Sequence, residues 1–288
     1  MHAPIITRRR LGAGAAVFAL ALLGAGAMPT LRAAEPGAPG HAARQVTVTA
    51  TDFAFDFGGP DTLPAGLTTF HLVNKGAQPH HLWLIRLDEG KTLQDALNAL
   101  KAGGPVAWAH DVGGPNAAMP GGNDSATLVL QPGHYVAVCF VPGPDGVPHV
   151  MKGMLKELVV TGSRATATLP PADVTITLSD YAFTPSTPLT AGHHVVLVRN
   201  IARQTHELVL VKLAPGKTAR DFVAWVEKPV GPPAGELLGG VSGIAPGTKN
   251  TFATDLVPGT YAFICFVPDA KDGKPHLAHG MMTQFEVR

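Results

Sequence analysis

The sequence predicts an all-β protein made of two tandem Greek-key β-sandwiches, each with a short inserted helix. Three observations support this fold class. Gly and Pro account for 33 and 26 of the 288 residues, well above their usual share, which favours many turns. Short runs of Val, Thr and Leu alternate with polar residues, as half-buried strands do. Finally, the body of the chain repeats itself at a nearly constant offset.

The composition also excludes several classes of protein. Charged residues make up only 15% of the chain and aromatic residues 6%, which excludes a coiled coil and a disordered, highly charged protein. Two cysteines in 288 residues exclude a small domain stapled by disulfides. The length suits two domains, each large enough to bury a core without cross-links.

Residues 1–34 have the features of a signal peptide. Three consecutive arginines, 8–10, form a basic start, and 11–27 is an apolar run of the length found in secretory signals. The paired arginines resemble a twin-arginine export signal, and a Sec signal or an uncleaved anchor is the alternative. Ala27 and Ala34 are both candidate cleavage points. We therefore expect the mature protein to be periplasmic or secreted.

The charge of the mature chain gives no indication of a polyanionic partner. Cleavage after Ala34 removes four of the 22 basic residues and none of the 21 acidic ones, for a net charge of −3. No basic patch then remains to indicate nucleic acid or an anionic membrane as a partner. No later stretch is long and apolar enough to span a bilayer, so we expect no membrane span after signal removal.

The rest of the chain is a tandem repeat. Three pairs of segments match at offsets of 128, 126 and 126 positions, namely 46–55 with 174–183, 78–87 with 204–213, and 132–142 with 258–268. A drift of only two positions over a whole domain indicates duplication. The predicted domains are residues 44–161 and 172–288, joined by a short linker near 162–171.

Each repeat contains the same predicted elements. Six strands are expected in each, at 46–50, 68–73, 82–87, 126–130, 135–140 and 155–160, and at 174–178, 195–199, 208–213, 251–256, 261–266 and 283–287. Thr92 and Thr218 are each followed by an aspartate three residues later, which is typical of a capped helix start. One helix per repeat is therefore predicted after these threonines.

Four residues recur together in each repeat: an early His, a Cys at a strand end, a His in the following loop, and a Met. The two sets are His80, Cys139, His149 and Met154, and His206, Cys265, His276 and Met281. Two imidazoles, a thiolate and a weak axial thioether are the ligand set of a blue copper electron-transfer site. Soft sulfur donors favour Cu(I), imidazole accepts either oxidation state, and neither suits Mg²⁺ or Ca²⁺. We therefore predict two copper ions per chain, one in each domain.

At these residues the sequence resembles the cupredoxin family, the plastocyanin-like blue (type 1) copper proteins. In 149–154 and 276–281 a His is followed four residues later by Gly-Met, as in plastocyanin, and 74–80 is similar to the plastocyanin segment that carries the first ligand. The segment 200–206 keeps the same spacing. The resemblance implies a β-sandwich with copper at one end, under a loop and close to the surface for electron exchange.

The sequence also departs from the plastocyanin pattern. Cys139 and His149 are ten positions apart, and Cys265 and His276 eleven, which is longer than the plastocyanin loop and similar to loops in the copper domains of nitrite reductases. Proteins of this family often have Asn after the first ligand His, where it steadies the Cys loop. Here that position holds His81 or Glu207, so the surroundings of the ligands must differ.

The residues alone leave some alternatives open. A disulfide between the two cysteines is one, and Met154 and Met281 as simple core residues are another. Other residues compete for single ligand positions: Met151 with Met154, Met282 with Met281, His81 with His80, and His279 with His276. Five histidines without a counterpart in the other repeat are expected to be ordinary strand or turn residues, namely His71, His110, His134, His193 and His194.

The sequence favours an electron carrier over an enzyme. Multicopper oxidases and nitrite reductases have a His directly before the copper Cys, whereas Val138 and Ile264 stand there in this chain, and paired His-x-His motifs are absent. A second centre for reducing oxygen or nitrite is therefore not indicated. We expect an exported electron-transfer protein with a redox protein as partner. The alternatives are a copper-delivery protein of the same fold, with a copper donor or acceptor as partner, and a subunit of a copper oxidoreductase.

Overall fold

The computed structural model describes residues 42–103 and 106–288, so the predicted signal peptide lies outside the described residues. The described residues form 17 strands, two α-helices and two short 3-10 helices. The prediction of an all-β fold with one inserted helix per repeat is therefore confirmed.

The two halves of the chain contain corresponding elements in the same order. The first half contains β1 (Arg44–Thr51), β2 (Ala54–Asp56), β3 (Thr62–Pro64), β4 (Gly66–Asn74), β5 (Trp83–Leu87), α1 (Leu93–Ala102), β6 (Ala109–Gly113), β7 (Asn123–Leu130), β8 (Gly133–Val138) and β9 (Leu155–Thr161). The second half contains β10 (Val174–Ser179), β11 (Ala182–Pro185), β12 (Gly192–Asn200), β13 (His206–Leu213), α2 (Ala219–Glu227), β14 (Gly235–Ile244), β15 (Lys249–Leu256), β16 (Gly259–Ile264) and β17 (Met282–Val287).

The strands form two sheets, and both sheets run through both halves. One has the order β2-β1-β4-β7-β15-β12-β10-β11, and the other β3-β9-β8-β5-β6-β14-β13-β16-β17. Apart from β3, the corresponding strands of the two halves occupy each sheet in reverse order. The halves meet at Thr127, which pairs with Thr251, and at Val112, which pairs with Ile244. The strands that would be exposed edges of a single half therefore pair across the junction, β6 with β14 and β7 with β15.

The core follows from the alternation of apolar side chains. In β1, for example, Val46, Val48 and Ala50 are buried while their neighbours are more exposed. One apolar cluster lies wholly in the first half, around Phe70 and Leu72. A second cluster lies beneath α2 in the second half, and a third joins side chains of both halves. The two halves are therefore held together by apolar packing as well as by strand pairing.

Both helices begin as the sequence predicts. The Thr92 and Thr218 side chains accept hydrogen bonds from the backbone N–H groups of Asp95 and Asp221, whose carboxylates accept from the threonine N–H groups in return. The helices differ in depth, because α1 has no fully buried residue whereas α2 buries Phe222. No helix in the described part of the chain is long and apolar enough to cross a membrane.

Five strands were not expected from the sequence: β2, β3, β6, β11 and β14. Strands β2, β3 and β11 are only three or four residues long, and the glycine-rich β14 has six consecutive buried residues instead of an alternating pattern. The predicted ends of β8 and β16 also differ, because these strands stop at Val138 and Ile264, directly before the cysteines. From each cysteine onward, the backbone forms hydrogen bonds with the loop that carries the second ligand histidine.

Candidate metal centres

The first centre is a buried cluster of His80, Cys139 and His149, none of which has any exposed surface. The Cys139 Sγ lies 3.9 Å from the Nδ1 of His80 and 3.6 Å from the Nδ1 of His149. The two Nδ1 atoms are 3.1 Å apart. The structure thus brings together, from three separate parts of the chain, the three strongest donors that the sequence predicts.

The loop that carries His149 explains the Gly-Met motif. His149 begins a 3-10 helix, His149–Lys152, which ends at Gly153 in the left-handed conformation with a φ of 98°. Such a φ is unfavourable for a residue with a Cβ. The chain then turns back, so that the Met154 N–H donates to the His149 carbonyl at 3.0 Å and the Cys139 N–H donates to the Met154 carbonyl at 3.3 Å. The glycine therefore sets Met154 beside both ligands.

The first ligand is positioned by a buried asparagine. The Asn74 side-chain amide donates to the carbonyls of Gln78 and Ala118, at 2.8 and 2.9 Å. The His80 N–H donates to the same Ala118 carbonyl at 3.1 Å. Asn200 has the same role in the second half, where its amide donates to the carbonyls of Gln204 and Ile244. Both asparagines lie six positions before a ligand histidine.

The outer nitrogens of both histidines are oriented by polar partners. The Nε2 of His80 is 2.8 Å from the Asp52 carboxylate, and the Nε2 of His149 is 3.1 Å from the Gln78 Oε1. A proton on Nε2 leaves the Nδ1 lone pair directed at the cluster, as a metal ligand requires. Burial lowers the pKa of His149 to about 4 and also lowers that of His80, so both rings are neutral at neutral pH.

The buried thiol needs a cation to become a thiolate. Burial raises the pKa of Cys139 to about 12, and burial together with the nearby Glu207 raises the pKa of Cys265 further. Without a metal both groups are therefore neutral thiols at neutral pH. A coordinated metal ion removes such a proton outright.

The second centre repeats this geometry with His206, Cys265 and His276, again fully buried. The Cys265 Sγ lies 3.9 Å from the Nδ1 of His206 and 3.4 Å from the Nδ1 of His276. His276 also begins a 3-10 helix, which ends at Gly280 with a φ of 103°. The Met281 N–H donates to the His276 carbonyl at 3.0 Å, as its counterpart does in the first half.

The residue after the first ligand steadies the Cys loop in both centres. The Nε2 of His81 accepts the Phe140 N–H at 2.8 Å, and the Oε1 of Glu207 accepts the Phe266 N–H at 3.0 Å. Burial lowers the pKa of His81 to about 3 and raises that of Glu207 to about 7. Both residues that stand in place of Asn therefore accept a hydrogen bond from the Cys loop, and only Glu207 adds an acidic group there.

The second centre has further polar partners. The Nε2 of His206 is 3.1 Å from the Asp180 carboxylate. His276 differs from His149, because its buried Nε2 has no hydrogen-bond partner among the described residues and lies 3.8 Å from the Asp269 Oδ2. Asp269 is itself buried and accepts hydrogen bonds from the Tyr181 hydroxyl and the Gln204 amide.

A hydrogen-bonded bridge links the two halves beside these centres. The Asn116 side-chain amide, from the first half, is 3.2 Å from the Oε2 of Glu207 and from the Leu208 carbonyl, and 3.0 Å from the Val241 carbonyl. From Asn116 the chain continues through Ala117 to Ala118, whose backbone exchanges hydrogen bonds with His80. Neither Asn116 nor its role is indicated by a local sequence motif.

The other sulfur and imidazole candidates lie outside the two clusters. The cysteines are free and each sits beside its own pair of histidines, so the alternative of a disulfide is wrong. His279 bonds to Asp272, and Met151 is 45% exposed. Met154 and Met281 are fully buried. That these two methionines act as axial ligands remains a prediction.

The unmatched histidines have other partners or lie on the surface. His71 bonds to Gln45 and Ser125, His110 to Asp88, His193 to Asp255, and His194 to Asp173, while His134 is exposed in β8. Asp52 and Asp180 orient the first ligands and were not predicted from the sequence. The signal was available, because both lie at equivalent places in the matched segments 46–55 and 174–183.

The donor set fits a copper ion. In each cluster the three potential ligand atoms all lie within 4.8 Å of one another. Metal–nitrogen bonds of about 2.0 Å and metal–sulfur bonds of about 2.3 Å place ligand atoms of one ion about 3 to 4 Å apart, in agreement with the distances above. One thiol and two neutral imidazoles suit copper in both of its oxidation states.

Comparisons with known proteins concern the fold. No protein-family model and no curated protein matches the chain. It is similar in structure to a dithionite-reduced auracyanin of the photosynthetic bacterium Roseiflexus castenholzii, with 23% identity over 42% of this chain and 99% of that chain and a TM-score of 0.28. It is also similar to a multicopper oxidase (14% identity, 85% and 89% covered, TM-score 0.25) and to the blue copper oxidase of Nitrosomonas europaea (18%, 85% and 86%, TM-score 0.24).

The chain's own architecture provides the classification. In each half, the strands of two sheets pack around a core, and a buried His/Cys/His cluster lies where the Cys strand ends. The 3-10 helix and Gly-Met turn complete that cluster in the same way twice. The chain thus consists of two tandem β-sandwich halves with a cupredoxin-like fold, as the sequence predicts.

Proposed function

We propose that this is an exported electron-transfer protein with one mononuclear type 1 copper site in each predicted domain, 44–161 and 172–288. The ligands are His80, Cys139, His149 and Met154 in the first site, and His206, Cys265, His276 and Met281 in the second. One observation carries the proposal: each half buries a thiol within 4 Å of two imidazole Nδ1 atoms.

The residues of the chain supply a rigid, dry environment. Copper held there supplies a one-electron couple between Cu(I) and Cu(II). Asp52 and Asp180 hold the first-ligand rings by Nε2, and the hydrogen bonds of His81 and Glu207 fix the backbone after each cysteine. Because these contacts do not depend on the oxidation state, the ligands need to move little when an electron arrives.

Burial favours electron transfer over copper delivery. All six nitrogen and thiol ligands are fully buried, so a bound ion is enclosed by the protein and its release requires the loop to open. A delivery protein needs ligands that a partner can reach. We therefore propose a redox protein as the partner, and a copper donor or acceptor is the partner only under the alternative of delivery. Catalysis as an oxidoreductase subunit requires a further centre.

The absorption spectrum of the copper-loaded protein tests the proposal. We expect an intense visible thiolate-to-copper band and two copper ions per chain by metal analysis. Cys139→Ala and Cys265→Ala should each remove one ion and about half of the band, and each variant controls for the other. A protein without this band, or one whose band survives both substitutions, contradicts the proposal.

The axial ligands need a separate experiment. Met154→Leu keeps the apolar volume and removes the thioether, so the band of the first site should shift while copper stays bound. Met151→Leu is the matched control, because Met151 is exposed three residues earlier in the same loop. Equal spectra for the two variants contradict Met154 as a ligand. Reversible voltammetry against slow release to a chelator then separates a carrier from a delivery protein.

A further inference from the structure

The surroundings of the two centres differ in charge at several equivalent positions. Four residues after the cysteine, the first half has Gly143 and the second has Asp269. Three residues after the loop histidine, Lys152 corresponds to His279. One residue after the first ligand, the neutral His81 corresponds to the acidic Glu207.

Asp269 brings a negative charge against a ligand of the second centre. Its carboxylate is buried, and its Oδ2 is 3.8 Å from the Nε2 of His276. Three donors stabilise the ionised form: the Tyr181 hydroxyl, the Gln204 amide and the Lys271 N–H. These bonds hold the pKa of Asp269 well below its usual range, so the charge is present throughout the neutral range.

The same place in the first centre holds an ion pair. A Cβ added to Gly143 would lie 2.5 Å from the Nζ of Lys152 and 3.0 Å from the Oδ1 of Asp145, so this ion pair occupies the space beside Gly143. The Lys152 Nζ also lies 5.0 Å from the centre of the Phe53 ring, which packs edge-on against His149. In the first half this place therefore holds a carboxylate paired with a lysine, whereas in the second half the carboxylate of Asp269 lies beside the ligand ring.

The remaining charged groups around the centres match only in part, because the loop of the second half also has two exposed lysines, Lys271 and Lys274, without charged counterparts in the first half. Asp52 and Asp180 each face the Nε2 of the first ligand, at 2.8 and 3.1 Å. Asp145 pairs with Lys152 at 2.7 Å, and its equivalent Asp272 lies 3.2 Å from His279. Lys274 lies 3.7 Å from Asp272, so both of these loop aspartates have a cation beside them. The difference that remains next to a ligand ring is the buried carboxylate of Asp269.

A copper site carries one more positive charge when oxidised than when reduced, so nearby anions favour the oxidised form and nearby cations the reduced form. We propose that the second centre, at Cys265, has a lower reduction potential than the first, at Cys139, because of Asp269. In a half-reduced chain the single electron then resides at the first centre, and no bond breaks and no proton moves when it passes between them. This inference rests on the proposed function, because it requires copper in both sites.

Potentiometric titration followed by the visible band tests the order. In the Cys265→Ala background only the first centre responds, and in the Cys139→Ala background only the second does. We expect the second centre to be reduced at a lower potential than the first. Adding Asp269→Asn to the Cys139→Ala background should raise the Cu(I)/Cu(II) ratio at a fixed potential by about tenfold, since a unit charge is removed at close range in a low-dielectric site.

Two further variants keep the test specific. Lys152→Gln in the Cys265→Ala background should lower the potential of the first centre, because it removes the cation and leaves the Asp145 carboxylate without its ion-pair partner. Asp255→Asn is the matched control, since this carboxylate is exposed and paired with His193, away from both clusters. Its effect on either potential should be negligible.

The outcomes separate this inference from the proposed function. Two copper bands whose potentials are equal or in reverse order, or an Asp269→Asn variant no different from Asp255→Asn, overturn the inference and leave the electron-transfer proposal standing. Absence of the copper band from the parent protein overturns the proposed function, and the inference falls with it. A lower second potential that Asp269→Asn raises supports both.

Discussion

The two halves hold the same ligands by the same backbone devices, yet the residues behind those ligands differ. In the first half the Cys loop is steadied by His81, a neutral ring. In the second the same bond is made by Glu207, whose other oxygen faces Asn116 of the first half. Metal ligands must meet strict distances, whereas the groups behind them need only supply a hydrogen bond. The ligand geometry is therefore the same twice while charge and interface contacts vary.

The largest expected difference between the halves concerns the two helices. Phe222 in α2 is 1% exposed and packs in an apolar cluster of the second half. Phe222→Ala should lower the free energy of unfolding by about 3 to 5 kcal/mol, as for other buried phenylalanines. The matched variant in α1 is Leu97→Ala, at a half-buried position, with an expected loss of about 1 kcal/mol. Urea unfolding measures both, and equal losses of unfolding free energy contradict the conclusion that α2 is more deeply buried than α1.

The Asn116 bridge belongs to the second centre more than to the first. Asn116→Ala leaves the Glu207 Oε2 and two buried carbonyls without this donor, and we expect a loss of about 3 kcal/mol of unfolding free energy. In the copper-loaded protein the band of the second site should shift more than that of the first. Asn98→Ala, an exposed residue of α1, is the control. A band shift confined to the first site contradicts the assignment of the Asn116 bridge to the second centre.

The Gly-Met turns should respond alike in both halves. Gly153→Ala and Gly280→Ala each place a Cβ on a left-handed residue, which costs about 1 to 2 kcal/mol. No atom lies within 4 Å of either added Cβ, so the loss comes from the backbone and not from a clash. Gly59→Ala is the control, because its φ lies outside the left-handed region and its surroundings are also open. Thermal unfolding measures all three, and a clear difference between the first two breaks the equivalence of the turns.

The smallest effect concerns a histidine that only the second half has at the start of its third strand, β12. His194 bonds through one ring nitrogen to Asp173 and through the other to the Thr190 carbonyl, and the Asp173 bond raises its pKa above 6.5. A raised pKa means that its contribution is full below pH 6.5 and is lost as the pH rises through the folded value.

His194→Gln should therefore lower stability by at most about 1 kcal/mol near pH 5.5, and by less near pH 9. The equivalent residue of the first half is Thr68, which bonds to the Gly66 carbonyl and has no such pH dependence. Urea unfolding at the two pH values measures the effect, with His134→Gln, at an exposed position in β8, as the control. A loss of stability that grows toward pH 9 contradicts the raised pKa of His194.

Much of this protein could be predicted because its signals are local. The capping boxes at Thr92 and Thr218 lie within four residues, and the His-to-Gly-Met spacing follows from one 3-10 turn ended by a left-handed glycine. Because the sequence is repeated, every local motif occurs twice, and each Cys could be compared with its equivalent. Strands without alternation, such as β14, were missed because a strand buried along its whole length has no periodic pattern.

By itself the sequence determined the all-β class, the duplication, the two helices and the residues of both clusters, since these depend on short-range pattern and on repetition. Only the tertiary structure decided how the halves share their sheets, that Asn116 reaches Glu207 across 91 positions, and that the Lys152–Asp145 ion pair occupies the space beside Gly143, the position equivalent to Asp269. Such contacts join residues whose separation is set by the packing of whole strands, and no local spacing encodes them.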